Sequence, residues 1–238
     1  MATLTSPPEN PQIALANVRQ RIADFERKYA REPGSVQLLA VSKTQSPARV
    51  RAVYELGQHR FAENYLQEAL AKMDALANCT IEWHFIGPIQ SNKTRDLAAR
   101  FDWVHSVDRL KIAQRLNEQR PSSRGPLNVL IQVNSSNEAG KAGVAPGEVA
   151  TLAAGIADLP QLRLRGLMAI PAPSTDIAVQ RRVFRQLALA RNQLLANGHP
   201  ECRELSIGMS SDFEAAIAEG ATMVRIGTDI FGARVTMS

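Results

Sequence analysis

Cysteine is almost missing from this chain, with two among 238 residues. Cys79 and Cys202 lie far apart and make no CxxC spacing, which excludes a zinc knuckle, a redox dithiol and a disulfide framework and fits a reducing compartment. Blocks of one charge are missing too. Lys and Arg outnumber Asp and Glu by 28 to 23 and the pI is near 9.6, yet the excess of +5 is spread along the chain. A basic patch for nucleic acid is therefore not expected, and RNA binding would rest on the pI alone. No apolar run approaches the roughly 18 residues of a membrane span. Residues 1–12 are polar and contain proline, without the charged and apolar regions of a secretory signal, so a cytoplasmic protein is expected. The Asn-x-Ser/Thr triplets at Asn78, Asn92 and Asn134 then read as chance matches. GxGxxG and GxSxG are absent. Residues 87–94, GPIQSNKT, approach a P-loop, but Asn92 stands where its second glycine belongs. His59, His84, His105 and His199 have no ligand spacing, so no metal is expected.

What is present is a regular alternation. Hydrophobic residues make up 45% of the chain, enough for a sizeable core. Val18, Ile22, Phe25 and Tyr29 recur at helical spacing, and Pro33-Gly34 ends that leading helix. A compact apolar run at 38–41 then suits a strand buried on both faces. Ser46 as N-cap, Pro47 at the first helical position and Gly57 as C′ residue frame the next helix. The same strand-then-helix unit recurs, with strands expected near 60–63, 81–87, 103–107, 129–133, 162–170, 205–209 and 223–226, and with Asp108 as a further cap. Eight parallel strands joined by right-handed crossovers predict a single (β/α)8 TIM-type barrel with an extra N-terminal helix. An open doubly wound sheet is the alternative. Residues 1–34 read as an N-terminal segment and helix packed on a barrel spanning 35–238.

A barrel of this kind works at the C-terminal ends of its strands, and the residues there are polar: Lys43-Thr44, Glu63-Asn64, His84, Ser91 to Lys93, Asn134-Ser135, Ser210-Ser211 and Gly227-Thr228, with Met168 among them. Lys43 would point into the barrel mouth, where desolvation lowers an amine's pKa as a Schiff-base lysine requires. An exposed loop lysine is the plain alternative. Ser210 to Asp212 and Gly227-Thr228 follow strands seven and eight, where this fold commonly holds phosphate; ordinary helix capping is the other reading. Arg225 shares a face with Gly227 and could meet a ring nitrogen or a carboxylate, or form a buried ion pair.

Six segments together resemble one family, the pyridoxal phosphate homeostasis proteins, whose barrel is similar to the alanine racemase N-terminal domain: AVSKT at 40–44, AENYLQE at 62–68, WHFIGPIQSNK at 83–93, GLMAI at 166–170, IGMSSDFEAAI at 207–217 and VRIGTDIFGAR at 224–234. The resemblance implies that Lys43 forms the internal aldimine with pyridoxal 5′-phosphate. It implies that Ser210, Gly227 and Thr228 hold the phosphate and that Arg225 faces the pyridine nitrogen, leaving a poorer electron sink. Asn64, His84 and Met168 would lie near the cofactor. The family is described as acting in vitamin B6 supply without established catalysis. A monomeric carrier passing cofactor to apo-enzymes is the expected role, and an amino-acid racemase or lyase the competing one. Racemases of this fold use a tyrosine from a further domain; the tyrosines here, Tyr29, Tyr54 and Tyr65, all precede the barrel's later strands. Lys93 and Lys141 are the lysines considered for a second cofactor molecule, Lys141 more simply as an exposed loop residue.

Overall fold

Asn10 accepts a hydrogen bond from the Gln12 amide and Pro11 takes the first helical position, so α1 (Pro11–Lys28) starts where a cap and a rigid φ favour it. The computed structural model describes residues 10–135 and 142–232; Lys141 and Arg234 lie outside them. After α1 come β1 (Gln37–Val41), α2 (Pro47–Glu55), β2 (Arg60–Glu63), α3 (Leu66–Ala75), β3 (Glu82–Phe85), α4 (Thr94–Arg100), β4 (Trp103–Val107) and α5 (Leu110–Gln119). The second half runs β5 (Leu127–Gln132), α6 (Val149–Ala157), β6 (Leu162–Met168), α7 (Ile177–Ala196), β7 (Glu204–Ser206), α8 (Phe213–Ala218), β8 (Met223–Ile226) and the single turn α9 (Thr228–Phe231).

The eight strands close into a barrel in chain order, β1 pairing with both β2 and β8, all parallel. The open-sheet alternative is thereby overturned. Side chains alternate across each strand. Leu38 and Ala40 face the helices and join a large apolar layer with Val50, Phe61 and Leu97, whereas Leu39, Val41, Ala62, Trp103, Leu130 and Met168 fill the barrel interior. Gly166, with φ +147°, lets β6 and β7 approach: a Cβ there would stand 1.9 Å from the Glu204 carbonyl oxygen.

Some boundaries differ from the expected ones. β7 ends at Ser206, although bonds to β8 run on through the Ile207 amide and the Gly208 carbonyl, which accepts from the Arg225 amide at 2.9 Å; Gly208, at φ +92°, then turns the chain into the 209–212 loop. Asp108 caps no helix; α5 begins at Leu110 without a side-chain cap, and the Asp108 carboxylate pairs with Arg109 at 2.7 Å. Helix α1 lies against α8, α9 and α2, so the leading helix is packed on the barrel wall. No helix among the described residues is long and apolar enough to cross a membrane.

Candidate functional site

The C-terminal strand ends enclose a cavity of about 520 Å³, within the range that takes small ligands and cofactors. Lys43, Asn64, Ser210, Arg225, Gly227 and Thr228 all line it. His84 and Met168 do not. Both are fully buried, one layer below the mouth, because side chains on a strand share a face every second residue. Ile86 and Ile170, two residues further on, form the apolar wall instead. The same two-residue step along β3 and β6 would have found them from sequence. His84 is consequently corrected from a rim residue to one of the barrel interior, and Met168 to a core side chain.

Lys43 sits in a tight turn. The Gln45 amide donates to the Ser42 carbonyl at 3.0 Å, and Thr44 has φ +64°, a region that costs a β-branched residue energy. The Thr44 amide donates to Glu68 Oε2 at 2.9 Å. On the other side of Lys43, the Ser42 hydroxyl donates to Glu63 Oε1 at 2.6 Å, while Lys72 Nζ donates to the Ser42 carbonyl at 2.6 Å and to Glu63 Oε1 at 2.7 Å. The turn is thus held from both flanks by side chains of β2 and α3. Burial raises the Glu63 pKa, opposed by Lys72 and Ser42. None of Glu63, Glu68 and Lys72 was singled out from sequence as support for Lys43; a glutamate in a strand and a lysine on the buried face of a helix were the available signals.

Arg225 is nearly inaccessible to solvent. Its Nη1 donates to the Ser206 hydroxyl at 2.9 Å and to the Ser206 carbonyl, and Nη2 donates to the Ala169 carbonyl at 2.9 Å. Its direct partners among the described residues are neutral oxygens, so the buried ion pair considered from sequence is replaced by a carbonyl and hydroxyl cradle. Burial lowers its pKa to about 10, with Asp212 acting the other way, and the guanidinium remains charged at neutral pH. Across the cavity, Asp212 Oδ1 accepts from the Met209 amide at 2.6 Å, which folds the 209–212 loop so that Ser210 faces the cavity. Gly227 precedes α9, and its carbonyl accepts from the Ile230 and Phe231 amides at 3.0 and 2.8 Å. A Cβ on Gly227 would stand 3.2 Å from the Val41 carbonyl oxygen, so the bare backbone leaves room at this rim.

These residues fit a phosphorylated aldehyde. The wall supplies an amine, hydroxyl groups, a buried cation and an Asn64 Oδ1 that is buried without a hydrogen-bond partner. Asp229, the carboxylate of the lining, is engaged by Arg21 at 2.7 Å. Chemically, the arrangement can hold an anion at the loops after β7 and β8 while presenting an amine from β1.

Residues 13–235 match the alanine racemase N-terminal domain family. A pyridoxal phosphate homeostasis protein of Pseudomonas aeruginosa is 55% identical over 220 residues, 92% of this chain and 94% of the relative. Among solved structures, PipY of Synechococcus elongatus with PLP bound has a TM-score of 0.82 at 35% identity, covering 94% of this chain and all of that one. Alanine racemase of Corynebacterium glutamicum, with a TM-score of 0.69 at 19% identity over 94% of this chain and 62% of its own, shares the fold. On the family match over residues 13–235 and the curated relative at 55% identity, the chain belongs to the alanine racemase N-terminal domain family and, within it, to the pyridoxal phosphate homeostasis proteins.

Proposed function

We propose that this protein holds pyridoxal 5′-phosphate in the C-terminal cavity and serves the intracellular supply of that cofactor rather than amino-acid turnover. The observation that carries the reading is the convergence on one cavity of Lys43, the 209–212 loop, Gly227-Thr228 and Arg225. The PLP-bound relative and the names of the curated relatives support it. When bound, the cofactor supplies an aldehyde that reacts reversibly with amines and a ring that withdraws electrons. Lys43 is the amine for that aldehyde, held in place by the Ser42 to Gln45 turn. Ser210 and Thr228 offer hydroxyl donors, and Gly227 bare backbone, to the phosphate. Arg225, with a pKa near 10, keeps its proton and would offer the ring nitrogen a hydrogen bond without protonating it, leaving a weaker electron sink suited to storage rather than turnover. Delivery to apo-enzymes by a cytoplasmic monomer is the corresponding role.

Borohydride reduction of protein supplied with pyridoxal phosphate, followed by peptide mass mapping, tests this. A pyridoxyl adduct on Lys43 is expected, and an unmodified Lys43 under excess ligand overturns the site. Steady turnover of amino acids, abolished in Lys43→Ala, would overturn the carrier role in favour of a racemase or lyase.

A further inference from the structure

We propose that Glu82, His84, His105 and Ser206 are positioning residues for Arg225, joined to it in one hydrogen-bonded chain through the barrel whose charged ends fix the direction of every proton along it. The chain begins at the mouth opposite the cofactor cavity. Glu82 is the first residue of β3 and lines a second cavity, of about 660 Å³, between the N-terminal strand ends. Glu82 Oε1 lies 2.9 Å from His84 Nε2, His84 Nδ1 lies 2.9 Å from His105 Nε2, and His105 Nδ1 lies 3.0 Å from the Ser206 hydroxyl. The hydroxyl receives Arg225 Nη1 at 2.9 Å. His105 to Ser206 is a step across the barrel, from β4 to β7.

The ends determine what lies between them. A carboxylate can only accept and a guanidinium can only donate. The Glu82 pKa is lowered, chiefly by its hydrogen bond with His84, so the carboxylate is ionised and His84 must donate from Nε2. His84 Nδ1 is then an acceptor, which makes His105 Nε2 the donor and His105 Nδ1 the acceptor for the Ser206 hydroxyl. Ser206, having spent its proton, accepts from Arg225. Every member is satisfied with both imidazoles neutral. Burial lowers both histidine pKa values, against the raising effect of Glu82 and Asp102 on His84, and His84 and Arg225 further lower that of His105. The surroundings hold the rings in place: Trp103 stacks on His84 with centroids 5.5 Å apart, and Arg60 approaches Glu82 at 3.5 Å. Reversing any one proton would leave a buried donor facing a donor. Arg225 is therefore held at the cavity floor by the Ser206 and Ala169 carbonyls together with a chain anchored at the far mouth, and these residues do not line the cofactor site.

Arg225's role toward the cofactor rests on the proposed function, so the test has one readout without ligand and one with it. In unloaded protein carrying ¹⁵N-labelled histidine, both rings are expected as the neutral Nε2–H tautomer from pH 6 to pH 8. A ring that titrates in that range, or that carries its proton on Nδ1, overturns the chain. In Glu82→Gln the end residue can donate as well as accept, and its side chain is 37% exposed, so the fold should tolerate the change. Expected are a second tautomer at His84 and His105 and, in loaded protein, a shifted absorption maximum of the bound cofactor. Arg60→Gln, which removes a charged neighbour of Glu82, should leave a single tautomer and an unmoved maximum. Glu82→Gln with a single tautomer overturns the proposal, and mixed tautomers with an unmoved maximum overturn the positioning role. Wild-type protein that takes up no cofactor defeats the proposed function instead, while the tautomer readout still judges the chain.

Discussion

Lys72 carries its charge into the seam between β2 and α3, where its side chain is 5% exposed and that of its partner Glu63 is wholly buried. Lys72→Met would strand a buried carboxylate whose second oxygen already lacks a partner. A loss of about 3–5 kcal/mol is expected from urea unfolding, mostly recovered in the double variant Glu63→Leu with Lys72→Met. Two buried histidines set the acid limit. Their folded pKa values lie below the ordinary one, so the unfolded chain binds protons that the folded one refuses. Stability should be complete above about pH 6.5 and fall below it, by up to about 1.4 kcal/mol per pH unit for each ring. The urea midpoint is expected to drop between pH 7 and pH 5, and to drop less in His105→Gln. Of the six residues that share the cavity, Lys43, Asn64, Ser210 and Thr228 were legible in sequence as polar positions beyond apolar strands, Gly227 as the glycine after the last strand and Arg225 as a charge within it. The layer depth of His84 and Met168 was not, because a strand's last inward residue depends on where the ladder ends. That end is set by neighbouring strands.

Helix α1 acts on the cavity without touching its floor. Arg21 pairs with Asp229 in α9, Lys28 pairs with Glu214 in α8 at 2.7 Å, and Arg31, just beyond the helix, donates to the carbonyls of Ile217 and Ala221. These contacts tie down the two helices that follow the phosphate-facing loops. Arg21→Ala would free the Asp229 carboxylate beside the expected phosphate position. Titration calorimetry should find a few-fold weaker binding of pyridoxal phosphate, with stability changed by less than about 1 kcal/mol because the ion pair is partly exposed. At this scale the sequence was read most easily where apolar runs are short and bracketed by polar residues: β2, β4 and β8 have the expected bounds. β7 was expected too long, since Leu205, Ile207 and Met209 keep the alternation across the turn at Gly208. Asp108 had a capping residue's chemistry, but its neighbour Arg109 offered a stronger partner than the helix amides.

Closure leaves the barrel without an unpaired edge, so the strands have no separate way to fray. A single calorimetric transition is expected. Pyridoxal phosphate at a hundred times its Kd should move it upward by the equivalent of about 2.7 kcal/mol; an unmoved transition would mean that the folded form has no preferential affinity. The fold also divides its apolar residues into two bodies, a broad layer between strands and helices and a small group inside the barrel. The inner group shares its space with His84, His105, Ser206 and Arg225, all buried. This separation shapes what inheritance can alter. Changes in the outer layer act on how much protein survives in the cell, whereas changes on the inner wall, equally buried, also reach the floor of the cavity through Arg225. Lineages built on such a barrel can diverge in activity along one set of positions while their scaffold stays under an independent selection.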